Sequence, residues 1–159
     1  MGTMAFRWAS LRSLTFIVKL LLQTEADINH QDNEGKTALM LARIWGKIKP
    51  LLQAGAKVNL QDNNGRTALM WASLNESGGT TWGIKLLLKS GAKINHQDDV
   101  GWTALILASD KGRTDVVKVL LQTGADVNLR SNSGETALMR ASQNGHTDTV
   151  KILEEYLKK

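Results

Sequence analysis

The 159-residue chain lacks cysteine and has one proline, Pro50, one tyrosine and two phenylalanines. Without cysteine it forms no disulfide, has no thiol nucleophile and offers no thiolate to zinc, though this leaves its compartment open. No run reaches the 18 or so apolar residues that would cross a bilayer as a helix. The opening MGTMAFRWASLRSLTFIVKLLLQ has the cation, apolar patch and small residues of a signal peptide. It also aligns with a motif that recurs down the chain, and that alignment outweighs the signal reading. Acid is slightly short, giving a net charge of +5. Such a mild excess favours solubility more than it argues for nucleic acid. No Ser-His-Asp set, phosphate loop or spaced carboxylate pair stands out, so catalysis is not expected.

What is present is periodicity. Gly2, Gly35, Gly65, Gly101 and Gly134 are separated by 33, 30, 36 and 33 residues. Four of them open similar strings: GKTALMLA (35–42), GRTALMWA (65–72), GWTALILA (101–108) and GETALMRA (134–141). The first string, GTMAFRWA (2–9), keeps Ala5, Phe6 and Ala9 in register. Each string leads to an apolar run, and four runs continue into ADIN, AKVN, AKIN or ADVN. A fixed period of this size marks a stack of similar units.

Local chemistry turns the motif into helices. The glycines predict tight turns at positive φ. Thr37, Thr67, Thr103 and Thr136 predict helix N-caps. Apolar residues such as Ala38, Leu39 and Ala42 predict a buried helical stripe. The Leu-rich runs supply a second helix, with Gly55, Gly91 and Gly124 as its C′ stop. Glu25 stands where the other units have that glycine, and a non-glycine residue there costs roughly 1–2 kcal/mol, so Glu25→Gly is expected to stabilise. The 30-residue step loses residues between Ala42 and Leu51, and a shortened second helix is expected to hold Pro50 in its first turn. The 36-residue step adds residues within 73–83. One reading has that loop lean over the neighbouring gap, with Trp82 or Trp45 as cover; two unrelated indels are the other.

These strings resemble the ankyrin repeat, G-x-T-P-L-H-x-A with a period of 33, over essentially the whole chain. Alanine replaces the usual proline. Met40, Met70, Ile106 and Met139 stand where the family has histidine, which suggests apolar contacts between units. The resemblance implies an all-α solenoid of five helix-turn-helix units with β-hairpin-like fingers, in one domain spanning 1–159. The units run approximately 1–31, 32–61, 62–97, 98–130 and 131–159, the outermost acting as caps. It implies a non-catalytic module that binds a protein partner through a concave face and finger tips. No cofactor, metal or small-molecule substrate is expected, and the chain is expected to be a monomer, intracellular and cytoplasmic.

The variable positions between the repeated ones are the expected contact residues. After the turn glycine stand Lys36, Arg66, Trp102 and Glu135. Before the second motif alanine stand Trp71 and Arg140, among others. After the first helix come Trp45, Asp110, Lys111 and Asn144. Trp and Arg are frequent hot-spot residues, which singles out Trp71, Trp102, Arg66 and Arg140, with Trp102 as the best exposed aromatic. His30 and His96 lie about two helix layers apart, too far for one metal, and His146 reads as structural. The clusters DNEG, DNNG and SNSG lack the ligand set of a calcium loop and read as turns. Two further readings stay open. One is a stable repeat scaffold, made or selected for stability, without a dedicated partner. The other is a basic nucleic-acid or membrane-surface binder using Lys19, Lys49, Lys85, Lys89, Lys118 and Lys151, which more simply form a solvated face.

Overall fold

A computed structural model describes residues 27–42, 45–74 and 80–158; the side chains of 45–47 and 80 lie outside the description. Gly2, Lys19 and Glu25, and the expectations attached to them, also fall outside it.

Among the described residues the regular structure is helical, with no strand. The helices are α1 (Trp45–Gln53), α2 (Ala68–Ser73), α3 (Thr80–Lys89), α4 (Ala104–Asp110), α5 (Thr114–Gln122), α6 (Ala137–Gln143) and α7 (Thr147–Leu157). They form two layers. The first helices stack as α2–α4–α6 and the second helices as α1–α3–α5–α7, with each pair packed across the layers. The core lies between them. Leu69, Met70, Leu105 and Ile106 enter from one layer; Leu51, Ile84, Leu87, Val117, Leu120 and Leu153 enter from the other. Burying one such aliphatic side chain contributes roughly 1.5–3 kcal/mol. The alanines of the motif, Ala68, Ala104 and Ala137, are buried where helices approach closely.

The predicted caps form in three places. Thr103 Oγ1 accepts from Ile106 N at 3.2 Å, Thr136 Oγ1 from Met139 N at 3.3 Å and Thr37 Oγ1 from Met40 N at 3.4 Å. Thr67 differs: it makes no cap bond, and its buried hydroxyl has no partner. Ala38, Leu39 and Ala42 are buried as expected, but residues 38–41 form a turn rather than a helix.

Pro50 corrects a second expectation. Helix α1 begins at Trp45, so Pro50 is its sixth residue and sits inside the helix. The missing residues come out of the stretch before α1 and not out of the helix, which keeps the nine residues of α5. The proline ring meets the carbonyl of residue i−4 and removes a helical hydrogen bond. Next door, α3 presses against α1. A Cβ on Gly83 would lie 2.8 Å from Ile48 Cδ1, so a larger residue there would make the end of the Ile48 side chain shift. Residues 75–79 of the long connection lie outside the description, as do 43–44 and the Trp45 side chain, so the reading of the loop as a cover falls outside it; Trp82 itself is 43% exposed.

Where fingers are expected, each turn closes on itself and on its neighbour. Asp98 N donates to Trp102 O at 2.9 Å and Gly101 N to Asp98 O at 2.8 Å. Asp98 Oδ1 accepts from Val100 N and Trp102 N. Asp32, Asp62 and Ser131 accept in the same way, so the Asp/Asn clusters are turn chemistry. Backbone bonds then link successive tips: Asn63 N to Glu34 O, Asp99 N to Asn64 O and Asn132 N to Val100 O, at 3.0–3.1 Å. Gly101 shows why the motif keeps glycine. Its φ is +78°, and a Cβ would stand 2.6 Å from Asn132 N.

A second ladder runs past the motif asparagines. Asn29 Oδ1 accepts from Lys57 N at 2.7 Å, Asn59 Oδ1 from Lys93 N at 3.0 Å and Asn95 Oδ1 from Asp126 N at 2.9 Å. The final Asn of A-[DK]-[VI]-N therefore staples one unit to the next. Gly55, Gly91 and Gly124 take positive φ at the ends of α1, α3 and α5, as the helix stops require.

Candidate functional site

The variable positions meet across unit junctions. The residue after one turn glycine touches the residue before the second alanine of the following unit. Lys36 Nζ lies 4.7 Å from the Trp71 ring centroid. One junction later but one, the chemistry is exchanged: the Arg140 guanidinium lies 5.0 Å from the Trp102 centroid. Each is a cation–π pair, made once with the cation in the earlier unit and once with it in the later. Arg66, at the intermediate junction, donates from Nε to Asp98 Oδ2 at 3.1 Å instead. Trp71 is fixed further by donating from Nε1 to Asp62 Oδ2 at 2.8 Å.

Trp102 is therefore not the exposed aromatic that sequence suggested. It is half-buried beneath Arg140, as Trp71 is beneath Lys36. Among the described tryptophan side chains the exposed one is Trp82. Trp45 opens α1 and so belongs to the second-helix layer rather than to a turn after the first helix.

Asp110, the last residue of α4, is the hub of the densest polar cluster. Arg140 donates to its Oδ1 from Nε at 2.9 Å and also from Nη2. Asn144 Nδ2 donates to Oδ1 at 2.9 Å, and Lys111 Nζ lies 3.1 Å from Oδ2. Arg140 Nη1 reaches on to Glu135 Oε1 at 3.1 Å. Burial is the largest influence on the Asp110 carboxyl and pushes its pKa up. The hydrogen bonds from Arg140, Lys111 and Asn144, with the Lys111 charge, outweigh burial and leave it below the usual carboxylate value. The Asp110 hydrogen bond in turn raises Arg140. His146 Nε2 pairs with Asp110 O at 2.9 Å, which makes it the structural histidine expected. His96 pairs with Gly65 O at 2.8 Å across the preceding junction.

Asp110, Lys111, Glu135, Arg140 and Asn144 thus form one cluster joined to Trp102. Lys36 and Trp71, and Arg66, are set along the same layer but not joined to that cluster. Within it Lys111 remains 56% exposed on its side chain, and Asn144 is exposed. Sequence reasoning missed Met139. Its equivalents Met40, Met70 and Ile106 are buried, but no described unit lies beyond Met139, which is 44% exposed. With Leu138, Val150 and Glu154 it lines a cleft of about 330 Å³ between α6 and α7. Alignment of the units carries the signal for this exposure: Met139 is the contact position of the last one. Among the described residues no group of three His, Asp or Glu could hold a metal ion. No helix among them is long and apolar enough to cross a membrane.

Comparison with protein families agrees with the stack. The model described as "Ankyrin repeats (3 copies)" matches residues 6–98 and 76–158. The chain belongs to the ankyrin repeat family, whose repeats are in general protein–protein interaction modules. Among curated proteins, none matches the chain.

Proposed function

We propose that the chain is a non-catalytic module of five ankyrin-like units that grips a protein partner with its first-helix layer and the turn tips acting as fingers. The observation that carries this reading is the pairing of variable positions across junctions. Lys36 with Trp71 and Trp102 with Arg140 are locked in place before any partner arrives. A face whose aromatic and cationic side chains are already held loses less entropy on binding. Arg66 is held by Asp98, and Glu135 and Asp110 hold Arg140. Lys111 and Asn144 then present exposed polar groups beside this framework. Trp45 is the weakest member of the set, since it starts a second helix.

The test is affinity capture followed by hydrogen exchange on the captured complex. Wild type retains a partner and gains protection around residues 102–111 and 135–144. Trp102→Ala with Arg66→Ala, and separately Lys111→Glu, weaken capture while the fold persists. Protection confined to α1, α3, α5 and α7 would contradict the reading. Equal capture by all variants would place the partner on another surface and contradict the reading, and no capture by wild type would favour a scaffold without a dedicated partner.

A further inference from the structure

The second-helix layer carries a separate surface. On α3, Trp82, Lys85 and Lys89 stand at i, i+3 and i+7 and so share one helix face, and all three are exposed. Lys49 occupies the position of Lys85 on the adjoining α1. Lys57 and Lys93 follow the two helices at equivalent rungs of the asparagine ladder, and both, like Lys49, are exposed. Neither α1 nor α3 contains an acidic residue.

The same positions change character in the next units. Asp115 and Asp148 stand where α3 has Trp82. Gln122 and Glu155 stand where it has Lys89, and Asp126 replaces Lys93. In α7 the lysine meets this acid, with Lys151 Nζ at 4.0 Å from Asp148 Oδ1. In α3 the residue three before Lys85 is instead an exposed tryptophan. One half of the layer is thus basic with an exposed aromatic beside its lysines, and the other half is mixed in charge.

We propose that the outward surface of α1 and α3 docks an acidic protein segment, with Trp82 as its apolar anchor and Lys49, Lys85 and Lys89 as its charged rim. Charge complementarity selects an acidic occupant. An exposed tryptophan next to charged side chains suits a protein hot spot, and the family in general binds proteins. A lipid surface fits less well, because an interfacial helix turns a broad apolar face outward. Leu86 and Leu88 of α3 are instead packed against the core. A nucleic-acid strand stacks successive bases on several aromatics, and the outward face of α3 has one. The proposal is independent of the first-helix face.

Fluorescence anisotropy of a labelled peptide of repeated Glu-Glu-Leu tests it on the full chain. The peptide binds at low salt and weakens as salt rises, since the Debye length shrinks to about 8 Å at physiological strength. Trp82→Ala weakens binding about thirtyfold, the effect of a hot-spot residue. Lys85→Glu and Lys89→Glu each weaken it up to about fivefold, while Lys118→Glu on α5 changes it less than about twofold. The proposal is overturned if no peptide binds, or if Trp82→Ala has no effect. It is also overturned if Lys118→Glu matches Lys85→Glu, or if Lys111→Glu abolishes binding and so places the peptide on the other face. Phosphatidylserine vesicles or oligothymidylate binding in the peptide's place, with the same dependence on Trp82 and Lys85, would overturn it too.

Discussion

Residues 27–97 and 98–158 repeat the same motif, yet the two regions hold it together differently. In the second region both first helices have seven residues and a threonine cap, and Asp110, Arg140, Asn144 and His146 bind the last two units across their junction. In the first region residues 38–41 form a turn, α2 has six residues and no side-chain cap, and α1 contains a proline. The Leu-rich core runs through both. The difference therefore lies in backbone satisfaction and in junction polar groups. A repeat stack is close to a sum of unit and junction terms, so such differences stay local and the first region opens at a lower free energy than the second.

Matched core deletions put the largest effect on this contrast. Leu120→Ala, at a fully buried site in α5, is expected to lower stability by about 3 kcal/mol. The equivalent Leu51→Ala in α1 is also fully buried, but should shift the main unfolding transition less, because its unit already opens early. Equal shifts in chemical denaturation would break the comparison. Pro50→Ala sharpens it from the other side. Relief of an interior helical proline is expected to stabilise by about 2–3 kcal/mol, and a lowered midpoint would show that α1 depends on its proline.

Asp110 links the junction to pH. Its folded pKa is depressed, because the Arg140, Lys111 and Asn144 bonds outweigh burial. Its contribution is thus fully present above the unfolded value of about 3.9 and is lost as pH falls through the lower folded value. Asp110→Asn should cost about 2 kcal/mol at neutral pH, the scale of a hydrogen bond to a charged group, and should flatten stability against pH below about 4. A mutant with the wild-type acid profile would remove Asp110 from the account. Gly101→Ala follows, with an expected cost of about 1–2 kcal/mol from its left-handed backbone alone and more from the nearby Asn132. Gly134→Ala has an open site beyond its Cβ and should cost only the backbone part. The smallest contrast is between threonines. Thr103→Val loses a cap worth about 1 kcal/mol, whereas Thr67→Val removes an unpartnered hydroxyl and should change stability by less than about 0.5 kcal/mol. Calorimetric midpoints decide both pairs.

Much of this was legible in the chain. Glycine spacing, threonine caps and Leu-rich runs foretold the paired helices of the last three units, though not the turn at 38–41, and Gly55, Gly91 and Gly124 marked where second helices stop. What periodicity does not carry is the result of removing residues. The residues are lost before α1, which keeps the nine residues of α5, so Pro50 falls in its interior. The candidate face was legible as a set of variable positions, but not as partners. That Trp102 lies under Arg140 depends on the junction geometry, because the two are in different units. The sequence suggests Trp82 as a cover for the short unit rather than as an exposed residue, because it stands at the start of α3 beside the irregular connection, where alignment between units is loosest. Thr67 shows the limit of local motifs, since the same Gly-x-Thr-Ala-Leu string gives a cap at Thr103 and none here.

Native-state hydrogen exchange resolved by residue tests the asymmetry most directly. The account predicts that amides of α4, α5 and α6 exchange only through global opening, while those of α1 and α2 exchange through a smaller, local one. Equal opening free energies for Leu51 and Leu120, or greater protection in α1, would contradict it.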